Sequence, residues 1–344
     1  MKKFTSLLAI DCQKVSLKIE EFIKGVVDAH SANGVIIGLS GGIDSAVLAT
    51  LSVRALGKDK VSLFYLYDRD SENGFRIRAE ILARWLDWKL EVVDIEPAMR
   101  KKGLYQPEAM KIIAFSSLFN RLLNRLYFFL FQESPFLLTI SQKERGENWL
   151  KGFLFSSGIL PIERSFNIRH RYRREVLETK GRERGLILLG ATNRSEYEIG
   201  WFVKDGIDDL PISPLLGLYK TQIRALANYL GLPKEVIDQK PSPDMMKGIT
   251  DESVLGISYE KIDLILSGLN GNLSEEEIMT FGVRKREIFC VRRLKELSSW
   301  KREKRKVLPF AGAKELSAEE GDLHLPTRLL FGAEVDEIDT IRQG

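Results

Sequence analysis

Apolar residues at Val15, Leu17, Ile19, Phe22, Ile23, Val26 and Val27 recur with the spacing of a helix that buries one face. Four later stretches have a different rhythm. Val35 to Leu39, Val61–Tyr67, Leu90–Ile95 and Leu186–Leu189 are short and almost wholly apolar, as strands covered on both faces are. Between them, Ala46–Leu56, closed by Gly57, and Phe75–Leu86 read as helices. Buried strands alternating with amphipathic helices predict an α/β fold, a doubly wound parallel sheet with helices on both faces.

The alternation then breaks. Ile112–Phe131 predicts one long apolar-aromatic helix, with Phe115, Leu118, Leu122 and Leu126 along one stripe and Phe119 and Leu123 beside them. Polar, Gly-containing sequence follows, so residues 105–160 read as a helical insertion. Ile168–Thr179 predicts a basic helix, and Leu218–Leu230 an amphipathic one stopped by Gly231 and Pro233. Residues 258–298 read as C-terminal helices, ending in the basic run Trp300–Lys306. One domain over 1–310 and a loosely packed tail over 311–344 are expected.

Composition narrows the function classes. The 44% hydrophobic and 29% charged content over 344 residues suits a soluble chain with a sizeable core. Cys12 and Cys290 are far apart and the chain has three histidines, which leaves no Cys/His metal spacing and fits a reduced, cytoplasmic setting. The apolar stretch 122–140 is broken by Asn124, Arg125, Gln132, Glu133 and Pro135, too polar for a bilayer. A net charge of +4 is too small to imply nucleic acid. Residues 100–185 do concentrate 17 Lys and Arg against 8 Asp and Glu, a local excess open to an anionic substrate, a partner or plain solvation.

The chemistry is concentrated in Gly38-Leu39-Ser40-Gly41-Gly42-Ile43-Asp44-Ser45, between a strand and a helix. Glycines there let backbone amides and the positive helix end approach phosphate oxygens, and Ser40 and Ser45 add hydroxyls. It is not a Walker loop, which ends in Lys-Ser/Thr. Asp44 stands at the helix start instead, and an acid beside phosphates calls for Mg²⁺ between them. The competing reading is a plain Gly-rich helix start with Asp44 in the favourable first turn.

The octad resembles the pyrophosphate loop of the adenine-nucleotide alpha-hydrolase superfamily. Further motifs resemble the NAD synthase family within it: Gly190-Ala191-Thr192-Asn193-Arg194-Ser195-Glu196, Gly200-Trp201-Phe202-Val203-Lys204, Leu218-Tyr219-Lys220-Thr221-Gln222-Ile223-Arg224, Lys240-Pro241-Ser242, and Thr250-Asp251-Glu252. The resemblance implies ATP as co-substrate, bound by Gly38 to Ser45, Lys220 and Ser242. It implies Mg²⁺ on Asp44 and Glu196, with Asp44 and Lys220 catalytic. Asn167 to Arg173 is similar to the family's N-x-x-A-R-x-R segment, so Arg171 is expected on the dinucleotide, as is Lys204. Trp300-Lys301 stands where the family has His-Lys and inherits an acceptor contact. The resemblance further implies adenylation of deamido-NAD and capture by ammonia, giving NAD, AMP and pyrophosphate. A homodimer is expected, since family members share the substrate site across a two-fold axis and Ile112–Phe131 is very apolar.

Departures gather on the acceptor side. Ala191 replaces a Thr, Pro211 falls on a substrate-binding Asp unless Asp208 or Asp209 shifts into its place, and Trp300 replaces the His. Two alternatives therefore stay open: a paralogue adenylating another carboxylate or a tRNA base, and a non-catalytic sensor of ATP or a dinucleotide. No glutaminase segment or nucleophilic Cys setting is read, so ammonia is expected from solution or a separate amidase.

Overall fold

The computed structural model describes residues 7–141, 149–242 and 246–302. The expected tail over 311–344 and the basic residues from 303 onward lie outside them. Helix α1 (Cys12–Ala29) starts on Asp11, whose carboxylate accepts from the Lys14 amide. Strand β1 (Gly34–Gly38) follows, then α2 (Ile43–Leu56), β2 (Val61–Tyr67), α3 (Asn73–Trp85), β3 (Leu90–Asp94) and α4 (Glu96–Lys101). The fourth strand, β4 (Leu186–Leu189), comes much later in the chain. All pairings are parallel, in the order β3-β2-β1-β4.

Alternation within each strand builds two cores, because successive side chains point to opposite faces. Val35, Ile37, Leu63 and Tyr65 pack with α1 and α2. Ile36, Phe64 and Leu66 face the other way, onto Leu177, Ile95 and Met99. The expected helices on both faces are present. Chain order moves from β1 outward to β3 on one side and places β4 on the other, so the sheet has its switch point between β1 and β4. Ligands of open α/β sheets bind at that crevice, beyond the carboxyl ends.

The predicted helix over Ile112–Phe131 is two helices, α5 (Glu108–Phe115) and α6 (Ser117–Phe131). Ser116 is extended, and its hydroxyl accepts from the Phe119 amide as an N-cap. A hydroxyl between two apolar halves starts a new helix without any Gly or Pro. Next come α7 (Phe136–Ile140) and α8 (Trp149–Leu154). A π-helical turn, Phe155–Ile159, runs into α9 (Leu160–Arg184). The predicted Ile168–Thr179 is thus the middle of a 25-residue helix that starts with Pro161 in its first turn.

After β4 come α10 (Arg194–Ile199), α11 (Lys220–Tyr229), α12 (Lys234–Ile237) and α13 (Asp251–Leu255). The predicted helical stretch 258–298 divides into α14 (Tyr259–Asn270), α15 (Glu275–Met279) and α16 (Lys285–Leu297). Ser274 starts the second with a capping box, and at the start of the third the Glu287 carboxylate accepts from the Arg284 amide at 2.8 Å. They form a separate apolar cluster with α7, in which Ile262, Ile265, Ile288 and Val291 are fully buried. Both cysteines are free thiols. Among the described residues no helix is long and apolar enough to cross a membrane.

Candidate active site

Strand β1 delivers the glycine-rich loop to the crevice. Gly41 has φ +78°, and a Cβ there would lie 2.1 Å from the Phe75 carbonyl oxygen, so only glycine fits. The loop is held by its own hydroxyls. The Ser45 hydroxyl accepts from the Ser40 amide at 3.1 Å and donates to the Gly42 carbonyl at 3.1 Å. The Ser40 hydroxyl accepts from the Gly42 amide at 3.2 Å. Asp44 then falls in the first turn of α2, beside the positive end of a 14-residue helix.

Strand β4 delivers the second half. Asn193 caps α10 by accepting from the Glu196 amide at 3.0 Å, and its side-chain amide donates to Asp44 at 2.8 Å. One side chain thus shapes the second helix and ties it to the first. Lys220, opening α11, is 3% exposed and donates to Asp44 at 2.5 Å and to Glu196 at 2.9 Å. Its backbone amide donates to Ser195, whose hydroxyl donates to the buried Asp263. Asp263 in turn accepts from the Thr221 amide at 2.8 Å. The Tyr259 ring lies 5.2 Å from the ammonium, and its hydroxyl donates to Asp251 at 3.0 Å.

Charge in this cluster is dominated by carboxylates. Burial first, then Asp44 and Asp251, push Glu196 up to about 8 against the pull of Lys220. Asp251 is raised to about 6, also by burial and against Lys220. Lys220 is raised although burial opposes its charge, because Asp44 and then Glu196 outweigh that cost. Three carboxyl groups, Asp44, Glu196 and Asp251, thus share the field of one ammonium.

Around this cluster opens a cavity of about 720 Å³. Gly38 to Ser40, Gly42 to Ser45, Glu196, Lys220, Ser242 and Lys301 all line it. Lys301 is half-buried and donates to the carbonyls of Gly200 at 2.9 Å and Phe202 at 2.6 Å. Burial lowers it to about 8 despite Asp208 nearby. Arg171, Lys204 and Trp300 do not line the cavity. They form a surface string: Arg171 donates to the Lys204 carbonyl at 3.4 Å, and Lys204 to the Trp300 carbonyl at 3.1 Å.

Where the sequence left the acceptor Asp open, Pro211 is exposed and Asp208 lines the cavity. Asp208 accepts from the Val203 amide at 2.9 Å and lies 3.1 Å from the His170 ring. Burial would raise its pKa, but His170 and the amide hold it below the usual range. Asp209 turns inward and accepts from the Asp205 amide at 2.7 Å.

A family model described as NAD synthase matches residues 15–143 and 162–305. The chain belongs to the NAD synthase family. It is 35% identical over 259 residues to an NH(3)-dependent NAD(+) synthetase of Thermotoga maritima, covering 74% of this chain and 88% of that one. A synthetase of the same name from Coprothermobacter proteolyticus is 33% identical over 261 residues, 76% of this chain and 86% of the other. The fold is similar to that of an NMN synthetase from Francisella tularensis, with a TM-score of 0.63, 22% identity, and coverage of 88% of this chain and 100% of that one. Residues 144–161, between the two stretches matched to the NAD synthase model, include Leu150, Leu154 and Ile159 of the cavity wall.

Sequence reading assigned no role to Asn193, Asp251, Tyr259, Asp263, His170 or Arg173. Asn193 and Asp251 stand inside motifs quoted above. Their signal was a cap-type residue just ahead of, or at the start of, a short helix.

Proposed function

We propose that the protein is an ATP-dependent, amide-forming carbon–nitrogen ligase that converts deamido-NAD and ammonia to NAD. The supporting observation is the convergence of Asp44 and Glu196 on one cation position, at the end of the phosphate loop and inside the cavity. The donor set fits Mg²⁺, a hard cation satisfied by two carboxylates plus substrate phosphate oxygens. When bound there, Mg²⁺ would supply charge neutralisation for the leaving pyrophosphate.

The chain's own residues do the rest. Loop amides after Gly38 and the start of α2 hold the phosphates, and Ser242 adds a polar contact from the facing wall. A carboxylate oxygen of the acceptor attacks the α-phosphorus, the bond to the β-phosphate breaks, and pyrophosphate leaves. Lys220, already charged, donates to oxygens on which negative charge builds. Ammonia then attacks the acyl carbon, AMP departs, and the nitrogen loses a proton.

Arg171, Lys204 and Trp300 fit an acceptor completed by a second copy of the chain. Leu118, Leu122 and Phe129 on α6 are 73%, 61% and 75% exposed, an apolar face that a homodimer would cover. The test is product analysis with ATP, Mg²⁺, ammonium and deamido-NAD. NAD, AMP and pyrophosphate in equal amounts are expected; ADP would sink the assignment. Nicotinate mononucleotide run in parallel separates a mononucleotide acceptor from a dinucleotide one.

A further inference from the structure

Helix α9 turns one face to the cavity, carrying Glu163, Phe166, Asn167, His170, Arg173 and Leu177. Arg171, the first arginine of the Asn167 to Arg173 segment, sits off that face and is exposed, whereas Arg173, its second, lines the cavity. Leu177 abuts the phosphate loop: a Cβ on Gly38 would lie 3.0 Å from its Cδ1. Arg173 is one turn further along, about 6 Å by helix rise.

Behind Arg173 lies a buried ionic cluster. Asp68 and Arg169 are fully buried, with Asp68 Oδ2 at 3.1 Å from Arg169 Nε and 3.9 Å from Arg173 Nη2. Arg169 also pairs with Asp70, which takes Arg69 at 2.8 Å. Two carboxylates therefore face three guanidiniums, leaving one positive charge in excess. Arg173 is where it falls. Its side chain is 11% exposed, and its Nε and Nη2 are buried without a hydrogen-bond partner. A guanidinium in that state is costly unless an anion completes it. His170, one turn earlier, is held by Asp208 at its Nδ1 side. Gly206 makes room for it, since a Cβ there would meet the His170 Cβ at 2.8 Å.

The geometry points to Arg173, flanked by His170, as a phosphate-binding position of the cavity, separate from the glycine-rich loop. It rests on the proposed function for the identity of the ligand, because both ATP and a dinucleotide acceptor bring phosphate oxygens. A planar fork suits such oxygens, and a lysine would not replace it.

The test is equilibrium binding of α,β-methylene-ATP and of deamido-NAD, measured separately on wild type, Arg173→Met and Arg173→Lys. Folding is checked by circular dichroism. Arg173→Met is expected to weaken one ligand about 10- to 100-fold, the range of a lost charge-assisted hydrogen bond. The weakened ligand is the one whose phosphate sits on Arg173. Arg173→Lys, which keeps the charge, should recover part of that loss. Wild-type affinity for both ligands in folded Arg173→Met overturns the inference. Where Arg173→Met does not fold, unchanged affinities in Arg173→Lys overturn it equally. Failure of the wild type to make NAD would instead refute the proposed function and leave the ATP-analogue comparison readable.

Discussion

Replacing Glu196 by Gln should flatten the dependence of stability on pH between about 6 and 7.5. In the folded protein Glu196 is raised to about 8 by burial and by Asp44 and Asp251, against an ordinary value of 4.5. Over this window the folded state keeps the proton and the unfolded chain does not. A folded value above the unfolded one gives stability that is fully present below the unfolded value and lost as pH rises through the folded one. The slope for one proton is about 1.4 kcal/mol per pH unit, so the wild type should lose about 2 kcal/mol across the window. Asp251 and Asp263, each raised to about 6, contribute mostly below it. Lys301, lowered to about 8, acts in the opposite sense, adding stability as pH rises above the window. Urea unfolding at four pH values in EDTA reads the slope directly. Equal slopes in wild type and Glu196→Gln, or a flat wild type, would refute the assignment of this proton.

Three further outcomes test the site and the assembly. Asp44→Asn should cut turnover by about two orders of magnitude at saturating Mg²⁺ while the fold persists; near-normal rates would mean the cation position is misplaced. Gly41→Ala should cost about 2 kcal/mol or more in thermal unfolding, from positive φ and the clash with the Phe75 carbonyl, and should abolish ATP-analogue binding; a neutral result would show that the loop can refold. Light scattering at micromolar concentration should give a dimer mass, and Leu122→Asp with Leu126→Asp a monomer that has lost activity. A monomeric wild type with full amide-forming activity would refute both the dimer and the shared site.

Much of the sheet was legible because its strands are buried on both faces. Val35 to Ile37 and Leu186 to Leu189 leave no polar position to confuse the reading. The loop was legible for the opposite reason: its glycines break the apolar pattern, and Gly41 is required by its positive φ and the close Phe75 carbonyl. Helix phase was harder. Helix α9 is strongly polar all round, and its buried Arg169 is a charge satisfied by Asp68 and Asp70 from another strand's end. No local pattern announces such a partner, so the sequence reading gave a role to the segment's first arginine, Arg171, while the cavity face carries its second, Arg173, with His170. The break at Ser116 was missed because both flanking halves are apolar and the only marker is a hydroxyl. Lys220 was read as a phosphate contact, whereas its resting partners, Asp44 and Glu196, lie 176 and 24 residues away.

Lys220 in that resting position behaves like an occupant that must be offered somewhere else to go. Its ammonium satisfies Asp44 and Glu196 while Asn193 holds Asp44 in place. A bare divalent ion competing for those carboxylates would strand a buried ammonium, an arrangement that is strongly unfavourable. A metal arriving with a polyphosphate brings the ammonium a new counter-charge in the same event. On the proposed cation site, the pocket should favour the metal–nucleotide pair over either component alone, a form of coincidence detection written into one lysine. Titrations should show it as positive coupling: the ion should bind far more tightly when the nucleotide is present, and by linkage the nucleotide should gain by the same factor.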